Sequence, residues 1–251
     1  MSWAGSTAML PGHLHLSMQA WAASQQGLLV SAVIQPQPVK NAIDTPRRHP
    51  LDFRPALRNA AAMRYILSYG AHNFELFAFR GWLFAYLIFA ASYYGVQLSA
   101  DGFQPDLGMA FIGMVSSVWG AKLCLSHGRA KMISRFGLIS FIMAVLFSLS
   151  GHVSFAFVLL CAAAYNITIM LDSASLTAGT VSKASPQDRG ATLAVHTMIG
   201  FCGSAAGAPA TGLVLDLSGG QTTLMAWSAT LVCMGLGSAL VWMILRRNKF
   251  S

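Results

Sequence analysis

Residues Met63 to Ser92 read MRYILSYGAHNFELFAFRGWLFAYLIFAAS. About thirty mostly apolar residues, at ~1.5 Å rise each, suffice to cross a ~30 Å hydrocarbon core with some tilt. The stretch nevertheless carries His72, Asn73, Glu75 and Arg80, and Arg80 falls close to its middle. A charge at the centre of a membrane helix costs roughly 2.5–3.5 kcal/mol on insertion scales, so such a residue normally faces a partner or a water-filled path. Glu75 and Arg80 lie about 140° apart around a helix and are not i,i+3 or i,i+4 neighbours. His72, Asn73 and Arg80 share one side, with Glu75 about 60° beyond His72. The pattern is a broad polar face suited to lining a cavity; the alternative is that Glu75 and Arg80 merely neutralise each other.

Composition extends the reading to the whole chain. Of 251 residues, 55% are hydrophobic and only 10% charged; soluble domains carry about 25% charged residues, so the sequence is that of an integral membrane protein. The net charge of +8 would suit nucleic acid, but placement argues otherwise. Lys and Arg cluster at Lys40–Arg64, Lys122–Arg135, Lys183–Arg189 and Arg246–Lys249, and are missing from the alternate connections near Asp101–Asp106, His152 and Asp216–Gln221. That alternation is the positive-inside pattern. It predicts six spans with both termini cytoplasmic, and a cytoplasmic loop at about 126–131.

The remaining spans are predicted at Leu107–Leu125, Met132–Ser150, Ser154 to about Ala178, Gly190–Leu215 and Thr222–Leu245. The fold class is therefore all-α, a polytopic six-helix bundle over 63–251, preceded by a partly disordered leader and cytoplasmic connector at 1–62. Gly27–Ile34 is too short to span; an extra, poorly formed helix there would move the amino terminus outside. Gly203, Gly207 and Thr211, with the adjacent row Ser204, Ala208 and Gly212, let backbones approach closely in lipid, and Pro209 is expected to kink the fifth span. The four cysteines, Cys124, Cys161, Cys202 and Cys233, fall in different spans and read as small core residues.

A second polar stripe lies in the fourth span: Thr168, Asp172, Ser175 and Gly179 at i, i+4, i+7 and i+11, with Asn166 nearby. Counted from the span centres, Asp172 and His72 fall at a similar level, Glu75 about 5 Å away in depth and Arg80 about 12 Å. Two acids and an imidazole near one level suit proton handling. Alternatively, Asp172 marks a helix end facing cytoplasmic water. Catalytic signals are weak: His72-x-x-Glu75 lacks a second histidine, and Ser173 and Ser175 have neither a base nor a glycine elbow. No enzyme activity, cofactor or metal is expected.

These residues carry a resemblance. YGAHNFELFAFRGWL (69–83) is similar to the seventh helix of bacterial major facilitator superfamily permeases. VWGAKLCLSHGRAKMI (118–133) resembles the degenerate second-half copy of their loop motif, retaining Gly120, Gly128, Arg129 and Lys131. The motif's aspartate is missing, with Cys124 or Leu125 in its place, and the spacing is one residue long. DSASLTAG (172–179), RGATLAVHTMIGF (189–201) and LDLSGG (215–220) resemble the tenth and eleventh helices and the loop after them. The resemblance implies the carboxy-terminal half of a twelve-helix fold, with the first and fourth spans lining the cavity. It implies a permease for a small polar or anionic solute, proton-coupled, working as part of a two-half assembly; the alternative is a truncated half-permease with a structural role only. On this reading His72, Asn73, Arg80, Asn166 and Thr168 bind substrate, and Glu75 and Asp172 exchange the proton. The expected partners are the lipid bilayer, a small-molecule substrate and a second copy or separate amino-terminal half, with no nucleic acid.

Overall fold

The computed structural model describes residues 52–97 and 105–246, all within the unit His49–Ser251. The leader 1–39, with the extra helix weighed at Gly27–Ile34, and most of the connector lie outside the described residues. The described chain is all-helical: α1 (Arg54–Arg58), α2 (Ala60–Tyr93), α3 (Pro105–His127), α4 (Arg129–Ser150), α5 (Phe155–Met170), α6 (Ser173–Lys183), α7 (Arg189–Leu217) and α8 (Leu224–Arg246). With α5 and α6 counted together, six segments are long and apolar enough to cross a membrane. The chain reads as a multi-pass membrane protein.

Span starts differ from the apolar runs that announce them by one to three residues. The Asn59 side chain accepts from the Ala62 amide and starts α2 at Ala60 rather than Met63. The connector is not featureless: α1 tucks Ala56 against Ala62, Ile66 and Val195. The loop expected at about 126–131 shrinks to Gly128 alone. Its φ of +90° is a left-handed value that favours glycine, and α4 starts at once.

α2 is the central pillar. It packs against α7 and α8 and also touches α5 and α6, while α4 packs on α8 and α5, and α3 on α5. The small-residue rows of α7 face α2. A Cβ on Gly203 would stand 2.1 Å from the Gly70 carbonyl oxygen, and one on Gly207 2.3 Å from that of Phe74. On α8, Gly237 fits over the Ala71 carbonyl and the Glu75 Cβ in the same way. α7 runs as one α-helix through Pro209. Cys124 and Cys161 are buried as read, but Cys202 is exposed, since it shares the outer face of α7 with Met198 and Phe201.

The fourth span departs most from its sequence reading. It is not one helix: α5 stops at Met170, Leu171 and Asp172 form a turn, and α6 resumes at Ser173. No proline or glycine marks the break. Its support comes from α3, where Gly120 lies so close to Leu171 that a Cβ would stand 1.9 Å from the Leu171 oxygen.

Candidate functional site

Along the inner side of α2, Tyr65, Ser68, His72, Glu75 and Phe79 follow one another at helical spacing and are all buried. Glu75 is the chain's single glutamate and only 1% exposed. Three other helices each turn a hydroxyl onto it. Oε1 accepts from Tyr165 Oη of α5 at 2.6 Å and from Ser140 Oγ of α4 at 3.2 Å, and Oε2 accepts from Ser238 Oγ of α8. Tyr165 is fixed in turn by edge-on packing against Phe79, with ring centroids 5.3 Å apart. No arginine enters this cage, so the Glu75–Arg80 neutralisation weighed from sequence does not occur among the described residues. The 140° between the two positions sends them to different sides of α2.

One turn away on α2, His72 meets Asp172. Nδ1 and Oδ1 are 2.9 Å apart, but Oδ1 takes no well-aligned hydrogen bond, so the contact is an ion-pair approach rather than a linear bond. Asp172 does stand at a helix end, immediately before α6, yet it is 5% exposed and faces His72, not water. Glu75, His72 and Asp172 thus place three ionisable side chains inside the bundle, where an uncompensated charge would be costly.

A second histidine adjoins this group. His196 of α7 stacks on Tyr69 with centroids 3.9 Å apart. Its Nδ1 is 3.1 Å from Thr180 Oγ1 and its Nε2 3.3 Å from Thr177 Oγ1. Thr180 already donates its one hydroxyl proton to the Leu176 carbonyl, so towards His196 it accepts. The Nδ1 therefore carries the hydrogen, and in the neutral ring Nε2 accepts from Thr177. Sequence reasoning passed over His196, although a signal was there: it lies i−4, i−7 and i−11 from Gly200, Gly203 and Gly207, on the stripe of α7 that faces α2.

The other candidates separate. Asn73 donates to the Tyr69 carbonyl at 2.9 Å. Arg80 does not share the inward side with His72: it is exposed, on a face with Phe77, Phe84 and Ile88, and has no ion pair among the described residues. Asn166 and Thr168 are not brought to Arg80. Asn166 donates to the Met109 carbonyl of α3 at 2.8 Å and so joins two helices, whereas Thr168 bonds the Tyr165 carbonyl of its own helix at 2.9 Å and stands 3.4 Å from Ser140 Oγ, at the edge of the Glu75 cage. Of the loop-motif positions, Gly120 seats α3 on the Leu171 turn and Gly128 makes the α3–α4 corner. Arg129 donates to the Ala178 carbonyl at 3.3 Å and to Ser182 Oγ at 3.1 Å, while Lys131 is exposed.

Comparison with protein-family models, curated proteins and solved structures finds no match.

Proposed function

We propose that this chain is a secondary active transporter subunit of the major facilitator type. It moves a small polar or anionic solute across a cell inner membrane, coupled to protons and with both termini cytoplasmic. The observation that carries the reading is the buried cluster of Glu75, His72 and Asp172, two of them on the helix that also carries an exposed mid-span arginine. Ionisable groups buried at membrane depth, with a cation on a different side of the same helix, are what coupling a proton to an anionic solute would use. Arg80 takes the solute's charge, Glu75 and Asp172 exchange the proton, and His72 and Asn73 orient. Binding and proton exchange, rather than bond-making, is the activity proposed. A second copy or a separate chain would cover the Arg80 face and complete the cavity. The competing reading, a structural half with no transport of its own, is favoured by the openness of that same face.

The test is uptake into proteoliposomes with an imposed pH gradient, using a panel of radiolabelled organic anions and neutral polar solutes. Wild type is expected to accumulate a member of the panel, and the Arg80→Ala, Glu75→Gln double variant to lose it. Equal uptake by the two would remove these roles. Arg80 makes no ion pair among the described residues, so an undiminished thermal midpoint for Arg80→Ala alone separates loss of transport from loss of fold. A chain that stays strictly monomeric to cross-linking in lipid would favour the structural reading.

A further inference from the structure

Two buried polar side-chain atoms among the described residues have no hydrogen-bond partner: Ser68 Oγ and Asp172 Oδ1. Buried polar groups are nearly always satisfied, so each such atom asks for an explanation. These two are neighbours on one seam. Ser68 precedes His72 by one turn on the inner side of α2, and His72 touches Asp172. Beyond Asp172, α6 runs back along α2, bringing Gly179 onto the Tyr65 ring. Ser68 thus lies between the Tyr65–Gly179 contact and the His72–Asp172 contact, about 6 Å along α2 from His72. The surrounding packing is apolar, with Leu171, Leu176 and Cys124 beside Tyr65.

We infer that Ser68 and Asp172 together hold a buried water, and that this water is the last station for a proton entering from the Lys- and Arg-rich end of the bundle. The inference rests on the proton-coupling reading and names the side from which the proton comes. A water between the two atoms satisfies both: it donates to Asp172 Oδ1 and accepts from Ser68 Oγ. A proton arriving on it as hydronium passes to Asp172 Oδ1 and leaves neutral water; no other bond changes. From Asp172 and His72 the next acceptor, Glu75, is one turn further along α2. The titratable and charged groups facing this seam are Tyr65, His72 and Glu75 on α2, Asp172 at the α5–α6 turn, Cys124 on α3 and Arg129 at the start of α4, with His196 of α7 flanking through Tyr69. The ordinary values of tyrosine, cysteine and arginine lie above neutral pH, which leaves the carboxylates and the imidazoles as the groups that can pass the proton on. Ser68 is a positioning residue, because it acts through the water.

The experiment is pH-jump infrared difference spectroscopy on the full chain in lipid nanodiscs. The protonated-carboxyl bands are assigned with Glu75→Gln and Asp172→Asn. Ser68→Thr and Ser68→Val have the same shape and differ in the hydroxyl, so packing effects are common to both; Ser68→Ala adds a variant that fits without crowding. Protonation in Val and Ala is expected to slow by roughly tenfold or more relative to Thr, less than the ~10²–10⁴-fold of a group that transfers the proton itself, because Ser68 acts through the water. Equal rates in Thr and Val, or a higher melting temperature for Ala with an unchanged rate, would show a dry hydroxyl with no part in proton movement and overturn the inference. If no carboxyl band titrates between about pH 5 and 9, where a proton-handling group must change state, the coupling reading itself fails and the inference goes with it.

Discussion

Tyr165→Phe removes one oxygen from the Glu75 cage and leaves the ring. The Phe79 and Phe147 contacts, at centroid distances of 5.3 and 5.9 Å, persist, so the measured cost is that of the hydroxyl. The 2.6 Å Oη···Oε1 distance falls in the range of O–H···O⁻ bonds, 2.5–2.7 Å, which are about twice as strong as neutral ones. A hydrogen bond to a charged group contributes ~1.5–3 kcal/mol. Neutral pairs between membrane helices average only ~0.6 kcal/mol, so the two cases are separable. The expectation is a destabilisation of ~1.5–3 kcal/mol, a roughly 10- to 100-fold change in the unfolding constant. It should fall to ~0.6 kcal/mol when Glu75 is already Gln, whose amide oxygen can still accept, giving a coupling energy of ~1–2.5 kcal/mol in the double-mutant cycle. Reversible unfolding in mixed micelles, followed by tryptophan fluorescence, measures it. A coupling at or below ~0.6 kcal/mol would mean that Glu75 is not a carboxylate in this arrangement, and the expectation would be refuted.

Two further outcomes follow from the packing and the charge pattern. Gly207→Ala places a methyl 2.3 Å from the Phe74 carbonyl oxygen, and thermal unfolding should show a loss of ~1–3 kcal/mol from overpacking. Gly190→Ala, with nothing within 4 Å of the added carbon, should instead be neutral or gain up to ~1 kcal/mol from helix propensity. Orientation is tested with single cysteines at Gly102, Ser126, Ser185, Gly219 and Ser251 in a cysteine-free background. An impermeant thiol reagent on intact cells should label 102 and 219 only, and labelling at 251 would overturn the proposed topology.

The bundle was legible because its signals are local. Apolar runs of span length, basic clusters between alternate spans and glycine rows every four residues each report a requirement met within one helix or one joint. His72 and Asp172 could be placed at one level by counting residues, since helical rise is fixed. What the sequence did not disclose was which way each polar group turns once its neighbours arrive. The hydroxyls around Glu75 come from Ser140, Tyr165 and Ser238 on three different spans, and no spacing rule relates them. Arg80 and His72 lie about 80° apart on a helical projection, yet His72 is buried against Asp172 while Arg80 is exposed. The break at Leu171 has no local marker because its cause is non-local: Gly120, some fifty residues upstream, supplies the close approach.

The single-residue corner at Gly128 has a mechanical meaning. α3 and α4 join through one residue, so a displacement of α3 that kept this join would take the form of a tilt about that corner. Gly120 is eight residues from the pivot, about 12 Å, and the Pro105 end of α3 is about 35 Å away. A tilt of ~5° then moves the Gly120 contact by only ~1 Å while the far end swings by ~3 Å, from the same rise per residue. The corner is thus a fulcrum and α3 a lever whose short arm rests on the turn that carries Asp172. A small displacement at the buried pair and a large one at the opposite membrane face are the same motion.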